Sequence, residues 1–336
     1  MVGPPDHSTC SICCCTPVNR ILTVIFMILL TIAVLFGNSV SLVVFLGTKQ
    51  FRTPHGYLKA SLAVADLAVG VVVVPFSVYS EVFLMLKGAP TECALGTLFG
   101  DDFQPCTVIG TVFAGCTLVS ISTIFLLTIE RSIAILKPLH KEAVITRKRT
   151  VSLIGVSWIA SFFLAVSPLM FSEEIVLEYN TCSRMCNFSL LAGSFPQSGW
   201  KILLLFPAFD FTLLGATVVI NILSLSSIRQ YSKQRRVLAK SNHSCRLSRP
   251  SFSDIKAGKT IGALTLAFTA SFTPIAVYVV GNVLGYQWCE FSFIAFWILT
   301  SNSCWNVIIY SVRDQKFRQR ALELFSISKS AISTDR

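Results

Sequence analysis

The chain has 336 residues, of which 53% are hydrophobic and only 13% are charged, and its mean hydropathy is +0.67. A water-soluble domain of this length cannot bury so much apolar surface, so an ordinary soluble protein is excluded. A helix that crosses a membrane needs about 20 apolar residues. Five uncharged stretches meet this requirement, and two more each hold one acid within their depth, Asp66 and Asp210. The composition therefore predicts seven membrane spans.

Basic residues predict the orientation of these spans. With the N-terminus outside, the outer segments hold only four of the 28 Lys and Arg residues, and the others face the cytoplasm. This asymmetry follows the positive-inside rule, so the net charge of +11 does not indicate a nucleic-acid partner. We predict an extracellular tail at residues 1–19 and a seven-span membrane domain at residues 20–312. Residues 313–336 are predicted to form an amphipathic helix and a cytoplasmic tail.

Four of the predicted spans carry polar residues at a similar depth. Asp66 lies in the middle of the second span, where an acid is costly unless it has partners. Asn38, Ser120, Asn302 and Ser303 could share hydrogen bonds with it or ligate a small cation. The residues alone leave open whether this cluster binds an ion or is purely structural.

The third and sixth predicted spans place four residues in two pairs. Phe113 and Arg131 are about five helical turns apart, so they lie on one face at opposite ends of the third span. Phe272 and Asp254 have the same spacing on the sixth span, which runs antiparallel to the third. Arg131 and Asp254 are therefore expected to meet at the cytoplasmic side, and Phe113 and Phe272 near the outside. A solvated loop charge is the alternative for Asp254.

Two long connections and the inner tail complete the chain. The second outer loop, residues 173–199, carries three acids, two cysteines and a glycosylation sequon at Asn187. The third inner loop, residues 229–253, is polar and basic. Residues 314–325 have apolar side chains at helical spacing, which predicts a short amphipathic helix on the inner leaflet.

One motif in each span resembles the rhodopsin-like (class A) family of G-protein-coupled receptors. In chain order the motifs are Gly37-Asn38, Asp66 with Pro75, Glu130-Arg131-Ser132, Trp158 with Pro168, Pro207, Phe268 to Pro274, and Asn302 to Tyr310. Each motif alone is weak, but seven in the right order are specific. Within the family, the features nearest to the aminergic branch are Pro75-Phe76, Trp297 and residues 137–140.

The resemblance implies an all-α membrane protein, a seven-transmembrane helix bundle with a short amphipathic eighth helix. It also implies a multi-pass receptor of the plasma membrane with an extracellular N-terminus. Such a receptor passes an extracellular ligand signal to a heterotrimeric G protein by opening a cytoplasmic cleft, and it binds arrestin through serines of its tail. No cofactor is implied apart from an allosteric sodium ion.

The resemblance also assigns roles to single residues. Coupling and switching fall to Glu130, Arg131, Asp254, Asn306 and Tyr310. Transmission between the two ends falls to Ile121, Pro207, Phe268, Phe272 and Pro274. The implied sodium ligands are Asp66, Ser120, Asn302 and Ser303. The implied outer disulfide joins Cys106 to Cys186. Cys93 is a candidate partner for Cys182, and the pairing of the remaining outer cysteines is left open.

The ligand pocket departs from the family pattern. Its predicted lining is Phe113, Ala114, Thr117, Phe272, Phe296 and Thr300. Phe113 replaces the aspartate that pairs with an amine in aminergic receptors, so a protonated amine would find no counter-ion at that point. No lysine lies between Lys259 and Lys316 to form a retinal Schiff base, which excludes an opsin. An apolar pocket of this kind favours a neutral or lipid-like ligand.

Further departures concern the switch, at Ser132, Gly215, Phe272 and Val307. A constitutively active or decoy receptor without a ligand is therefore an alternative. A secondary transporter would also explain Asp66 and Asp210, but seven spans without internal repeats argue against it. The sequence contains no catalytic triad, phosphate loop or metal motif, so we do not expect an enzyme.

Overall fold

The computed structural model describes residues 17–87, 105–136, 141–190, 199–240, 252–286 and 288–334. In this part of the chain, seven helices are long and apolar enough to cross a membrane. The first to seventh spans are Val18–Gly47, Pro54–Leu86, Pro105–Leu136, Arg147–Phe171, Lys201–Ser227, Gly262–Val283 and Cys289–Arg313. The predicted all-α, seven-span fold is confirmed.

The helices of the second and fourth spans each begin after a capping threonine, Thr53 and Thr146. The second span starts at Pro54, and the Thr53 hydroxyl before it accepts a hydrogen bond from the Gly56 N–H at 3.2 Å. Threonine at the cap and proline at the first helical position both favour a helix start. The helices are Pro17–Leu42, Pro54–Ala68, Val74–Lys87, Pro105–Leu136, Lys141–Val144, Arg147–Phe171, Leu205–Lys240, Phe252–Val283, Cys289–Arg313 and Gln315–Thr334.

Shorter helical turns join some of these helices. The first span ends in a π-helical turn, Val43–Gly47, and a second π-helical turn, Val69–Val73, lies inside the second span shortly after Asp66. Such turns are uncommon and often lie at functional sites. The 3₁₀ turns are Lys49–Phe51 and Gly199–Leu204.

The helix of the fifth span extends beyond the predicted membrane boundary. It runs over Leu205–Lys240, so residues 229–240, predicted as part of an inner loop, are helical. The prediction was wrong because it equated polarity with irregular structure. This segment contains no Gly or Pro and is rich in Lys, Arg and Gln, which are good helix formers. Residues 241–251, also predicted as loop, lie outside the described part of the chain.

The second outer loop contains a β-hairpin that the sequence did not predict. Strand β1, Ile175–Asn180, pairs antiparallel with β2, Met185–Leu190. At the turn, Asn180 Oδ1 accepts hydrogen bonds from the N–H groups of Cys182 and Ser183, at 2.9 and 3.0 Å. An Asn side chain that bonds to the following backbone is a strong turn former. The hairpin packs against the third span at Gly110. A Cβ at this position would lie 2.6 Å from Leu177 Cδ2, so a larger residue would require the Leu177 side chain to move.

The helix after the seventh span, Gln315–Thr334, confirms the predicted amphipathic eighth helix. Phe317 is 1% exposed, and its ring lies 5.4 Å from that of Phe45 and 5.9 Å from that of Tyr310. Leu322, on the same helix, is 61% exposed and is available to the lipid surface.

Candidate functional site

A cavity lies between the third, fifth, sixth and seventh spans and is covered by the hairpin. Its volume is about 810 Å³ when the space at its opening to solvent is included. Five of the six residues predicted for the pocket line it, Phe113, Ala114, Thr117, Phe272 and Phe296. The sixth, Thr300, lies in a smaller neighbouring cavity.

The two predicted pocket hydroxyls are committed to their own helices. Thr117 Oγ1 donates to the Phe113 carbonyl and Thr300 Oγ1 to the Phe296 carbonyl, both at 2.8 Å. A hydroxyl has a single donor, so neither can donate to a ligand without breaking this bond. The free polar groups of the pocket must therefore come from other residues.

Three residues with a carboxylate or amide side chain on the cavity wall were not predicted as pocket residues. They are Asn187 on β2, Asp210 in the fifth span and Asn282 in the sixth. Asp210 carried a sequence signal, because an acid within a membrane span is a functional candidate. The other two carried none, since only the position of the hairpin and the rotation of the sixth span bring them to the cavity.

The second cavity, of about 260 Å³, surrounds the acid of the second span. Asp66 is 2% exposed, and its Oδ2 accepts a hydrogen bond from Asn306 Nδ2 at 2.8 Å. The other implied sodium ligands line the same cavity, Ser120, Asn302 and Ser303. Asn38 instead donates to the carbonyls of Val34 and Ser303, at 3.0 and 2.9 Å. One carboxylate with hydroxyl and amide oxygens suits a small hard cation.

A column of packed side chains connects the two cavities. Phe268 is fully buried and stacks on Phe272 with ring centroids 6.0 Å apart. Phe272 faces the upper cavity, Phe268 lines the lower one, and Phe113 lines both. The other residues predicted for transmission are Ile121, which is buried, Pro207 on the cavity wall and Pro274 inside the sixth helix.

At the cytoplasmic end of the third span, Arg131 and Glu130 pair with each other. Arg131 Nε lies 3.0 Å from Glu130 Oε2, and His55 Nδ1 lies 3.1 Å from the same oxygen. Arg131 Nε also lies 3.3 Å from His55 Nδ1, so this nitrogen donates to Glu130 when it carries the proton and accepts from Arg131 when it does not. The backbone of Asp254 lies in the sixth helix, but its side chain is outside the described residues, so its pairing with Arg131 stays a prediction. The sequence did not single out His55.

The cytoplasmic end of the seventh span packs on a buried lysine. Tyr310 is 2% exposed, and Lys59 Nζ lies 4.5 Å above its ring. Lys59 also pairs with Asp314 at 3.4 Å, at the junction with the amphipathic helix. A cation over an aromatic face stabilises both groups. The second and seventh spans are therefore joined at this end by Lys59 and at the lower cavity by Asp66.

The family described as the 7 transmembrane receptor (rhodopsin family) matches residues 37–310. The chain belongs to this family. It is 27% identical to the trace amine-associated receptor 9 of Homo sapiens over 314 residues, 89% of this chain and 82% of that receptor. It is 25% identical to the adenosine receptor A2b of Gallus gallus, over 84% of this chain and 82% of that receptor. The chain is a multi-pass membrane receptor and not an enzyme.

Two disulfides hold the hairpin of this rhodopsin-family receptor. Cys186 is joined to Cys106 on the third span, as the resemblance implied. Cys182 is joined to Cys289 at the start of the seventh span, so its candidate pairing with Cys93 was wrong. The turn at the hairpin tip carries Cys182 across the bundle, a position that linear spacing does not reveal. Cys93 lies outside the described residues.

The disulfide between Cys182 and Cys289 closes a loop of 107 residues, so its loss should be measurable. We expect Cys182→Ser, Cys289→Ser and the double variant each to lower the stability of the purified receptor by about 2–4 kcal/mol. The double variant should be no worse than either single one, because all three remove the same bond. Thermal unfolding measures the effect. The free, half-buried Cys304 provides the control, since Cys304→Ser breaks no disulfide. Mapping that links Cys182 to Cys93 would contradict this pairing.

A buried ion pair also fixes the hairpin to the second span. Arg184 Nη1 lies 2.9 Å from Glu81 Oε2, and Tyr179 Oη donates to Glu81 Oε1 at 2.9 Å. Burial, together with the Glu81 charge, raises the pKa of the Tyr179 phenol well above its usual value, so the phenol keeps its donor proton.

The hairpin turn has an unusual backbone conformation, because Arg184 adopts a positive φ of 57°, which is uncommon for a residue with a side chain. Trp297 Nε1 donates to the Ser183 carbonyl at 3.0 Å.

The predicted glycosylation site lies in a buried position. Asn187 is 7% exposed, and its Nδ2 donates to Ser183 Oγ at 3.3 Å. A glycan attached to this nitrogen would need space that the cavity wall does not offer. Glycosylation at Asn187 stays a prediction, and the burial of its amide argues against it.

Proposed function

We propose that this receptor passes the binding of an extracellular small molecule to a heterotrimeric G protein. The ligand occupies the upper cavity and shifts an existing equilibrium towards a state with an open cytoplasmic cleft. The observation that carries the proposal is the packed column of Phe272 and Phe268, which runs from that cavity towards the end where Arg131 lies. Arrestin, recruited through serines of the tail, is a second proposed partner.

The receptor is proposed to act in the plasma membrane with its N-terminus outside. Both disulfides lie at the end of the bundle where the first span begins, and disulfides persist in oxidising compartments. The ligand is proposed to be a small molecule that is mostly apolar. The trace amine-associated relatives are named for amines. This receptor has Phe113 where the amine-binding aspartate of the aminergic branch is expected, so that position offers no counter-ion to an amine.

Nucleotide exchange tests the proposed coupling. The purified receptor is placed in lipid nanodiscs with each class of heterotrimeric G protein, and exchange on the α subunit is followed with and without candidate apolar ligands. Exchange above the receptor-free rate supports coupling, and exchange without a ligand measures basal activity. A folded receptor that accelerates exchange in no G protein would support a decoy instead.

A sodium ion in the lower cavity is the second part of the proposal. It would be held by Asp66 with the oxygens of Ser120, Asn302 and Ser303, and it would stabilise the inactive state. We expect millimolar sodium chloride to raise the unfolding temperature of the wild type more than choline chloride at equal ionic strength. Asp66→Asn should abolish this difference, because it removes the only carboxylate on that cavity wall among the described residues. Equal sodium dependence in the variant would leave only a structural role for the cluster.

A further inference from the structure

Asp66 and Asp210, the two acids that interrupt the apolar stretches of the sequence, have opposite surroundings. Asp66 accepts a hydrogen bond from Asn306 at 2.8 Å. Asp210 is 1% exposed, its Oδ1 has no hydrogen-bond partner, and its carboxylate forms no salt bridge among the residues that the structure describes. A buried acid without a partner is costly in a membrane, where such residues mark ligand or ion sites. Asp210 therefore needs a partner from elsewhere.

Asp210 faces the upper cavity and not the lipid. It lies on the cavity wall with Pro207, three residues earlier in the same α-helix, a spacing that keeps both side chains on one face. Leu214, four residues further along this face, is also buried. Asp210 lies about nine residues beyond Lys201, the outer end of the span, which places it about 13 Å deeper. At that depth its short side chain cannot reach the lipid headgroups.

A second acceptor without a partner lies on another wall of the same cavity. Asn187 Nδ2 is engaged by Ser183, whereas Asn187 Oδ1 accepts no hydrogen bond from the described residues. Among the described side chains that line this cavity, the only buried atoms without a partner belong to Asn187 and Asp210, and both atoms are acceptors. A ligand that satisfies this wall must therefore bring hydrogen-bond donors into an otherwise apolar space.

We propose that the ligand is an apolar molecule with a protonated amine, and that Asp210 is the counter-ion of this amine. This inference rests on the proposed role of the cavity as the ligand site and specifies the chemistry of that ligand. An ammonium supplies a positive charge as well as N–H donors, and a charge-assisted bond is stronger than a neutral one in a site that excludes water. The anchor of the amine thus lies on the fifth span and not at Phe113. Asn187 Oδ1 accepts from a further donor on the ligand.

Two probes of equal shape test this inference, 4-phenylbutylamine and the neutral 4-phenylbutan-1-ol. Binding to the purified receptor in nanodiscs is measured by ligand-induced thermal stabilisation over a concentration series. We expect the wild type to bind the amine about tenfold more tightly than the alcohol or better. Asp210→Asn, which keeps the shape of the side chain and removes its charge, should bring the amine affinity to that of the alcohol and leave the alcohol affinity unchanged. Glu178→Gln removes an exposed acid of β1 by the same substitution and should keep the preference.

Two results would overturn the inference. One is equal affinity of the wild type for the two probes, including the absence of binding by both, and this result does not depend on whether any variant folds. The other is a preference for the amine that persists in Asp210→Asn. The measurement does not involve a G protein, so its failure differs from a failure of the proposed coupling. Amine-selective binding without nucleotide exchange would support Asp210 as the counter-ion and contradict the proposed coupling. Nucleotide exchange stimulated equally by both probes would support the coupling and contradict the role of Asp210.

Discussion

Replacing Arg131 by alanine is expected to reduce receptor-driven nucleotide exchange to the receptor-free rate, while surface expression stays near the wild-type level. Arg131 is a partly exposed guanidinium at the cytoplasmic end of the third span, where it pairs with Glu130 at 3.0 Å. Release from this partner would present its charge to the G protein. Glu130 keeps its contact with His55 at 3.1 Å but loses the Arg131 charge, so the stability of the purified variant is measured beside its coupling.

Two variants control this experiment. Arg149 lies on the same side of the membrane, at the start of the fourth span, and bonds to the Ala143 carbonyl and not to Glu130. Arg149→Ala therefore removes a positive charge without affecting the Glu130 pair, and this variant should couple normally. Arg131→Lys keeps the charge but loses the planar fork of the guanidinium, so intermediate coupling is expected. Exchange is measured at matched receptor amounts. Normal coupling of Arg131→Ala would show that the switch does not operate through this residue.

The largest loss of stability is expected from Glu81→Ala at the outer end of the second span. The carboxylate is removed from Arg184, whose side chain is 9% exposed, and the hydrogen bond from Tyr179 is lost as well. A buried charge left without its partner costs about 3–5 kcal/mol. The unfolding temperature of the purified receptor should fall by several degrees, and Arg184→Ala should have a similar effect because it leaves the Glu81 charge unpaired.

The exposed pair of the amphipathic helix provides the matched control. Arg320 and Glu323 form an ion pair with side chains 44% and 54% exposed, so Glu323→Ala should change stability by only about 0–1 kcal/mol. Replacing both buried partners, by Glu81→Leu with Arg184→Met, should recover much of the loss, since no unpaired charge is left. If Glu81→Ala and Glu323→Ala lower the unfolding temperature equally, the buried pair of Glu81 and Arg184 stabilises the receptor no more than an exposed pair does.

The outer contacts also bear on ligand entry. The hairpin is tied to the second span by Arg184, to the third by Cys186 and to the seventh by Cys182 and the Ser183 carbonyl. These links hold β2, and with it Asn187, in place over the cavity before any ligand arrives. A site held in its binding geometry loses less entropy on binding, which favours affinity.

The sequence by itself determined the class of the protein. Seven apolar stretches, the distribution of basic residues and the ordered motifs from Asn38 to Tyr310 were enough to predict the bundle and the family. These features are local: hydropathy over about 20 residues decides whether a helix crosses the bilayer, whatever its neighbours are. For the same reason, spacing within the helices predicted that Phe113 and Phe272 meet near the outside, and the family resemblance then assigned both to the pocket.

The tertiary structure decided how the outer surface closes and which polar groups face the cavity. The partner of Cys182 and the contact of Glu81 with Arg184 join segments about 100 residues apart, and local periodicity carries no information on such distant pairs. The surroundings of Asp210 likewise depend on the rotation of the fifth span, which places this acid on the cavity wall. Packing between helices sets that rotation, and packing is a property of the whole bundle.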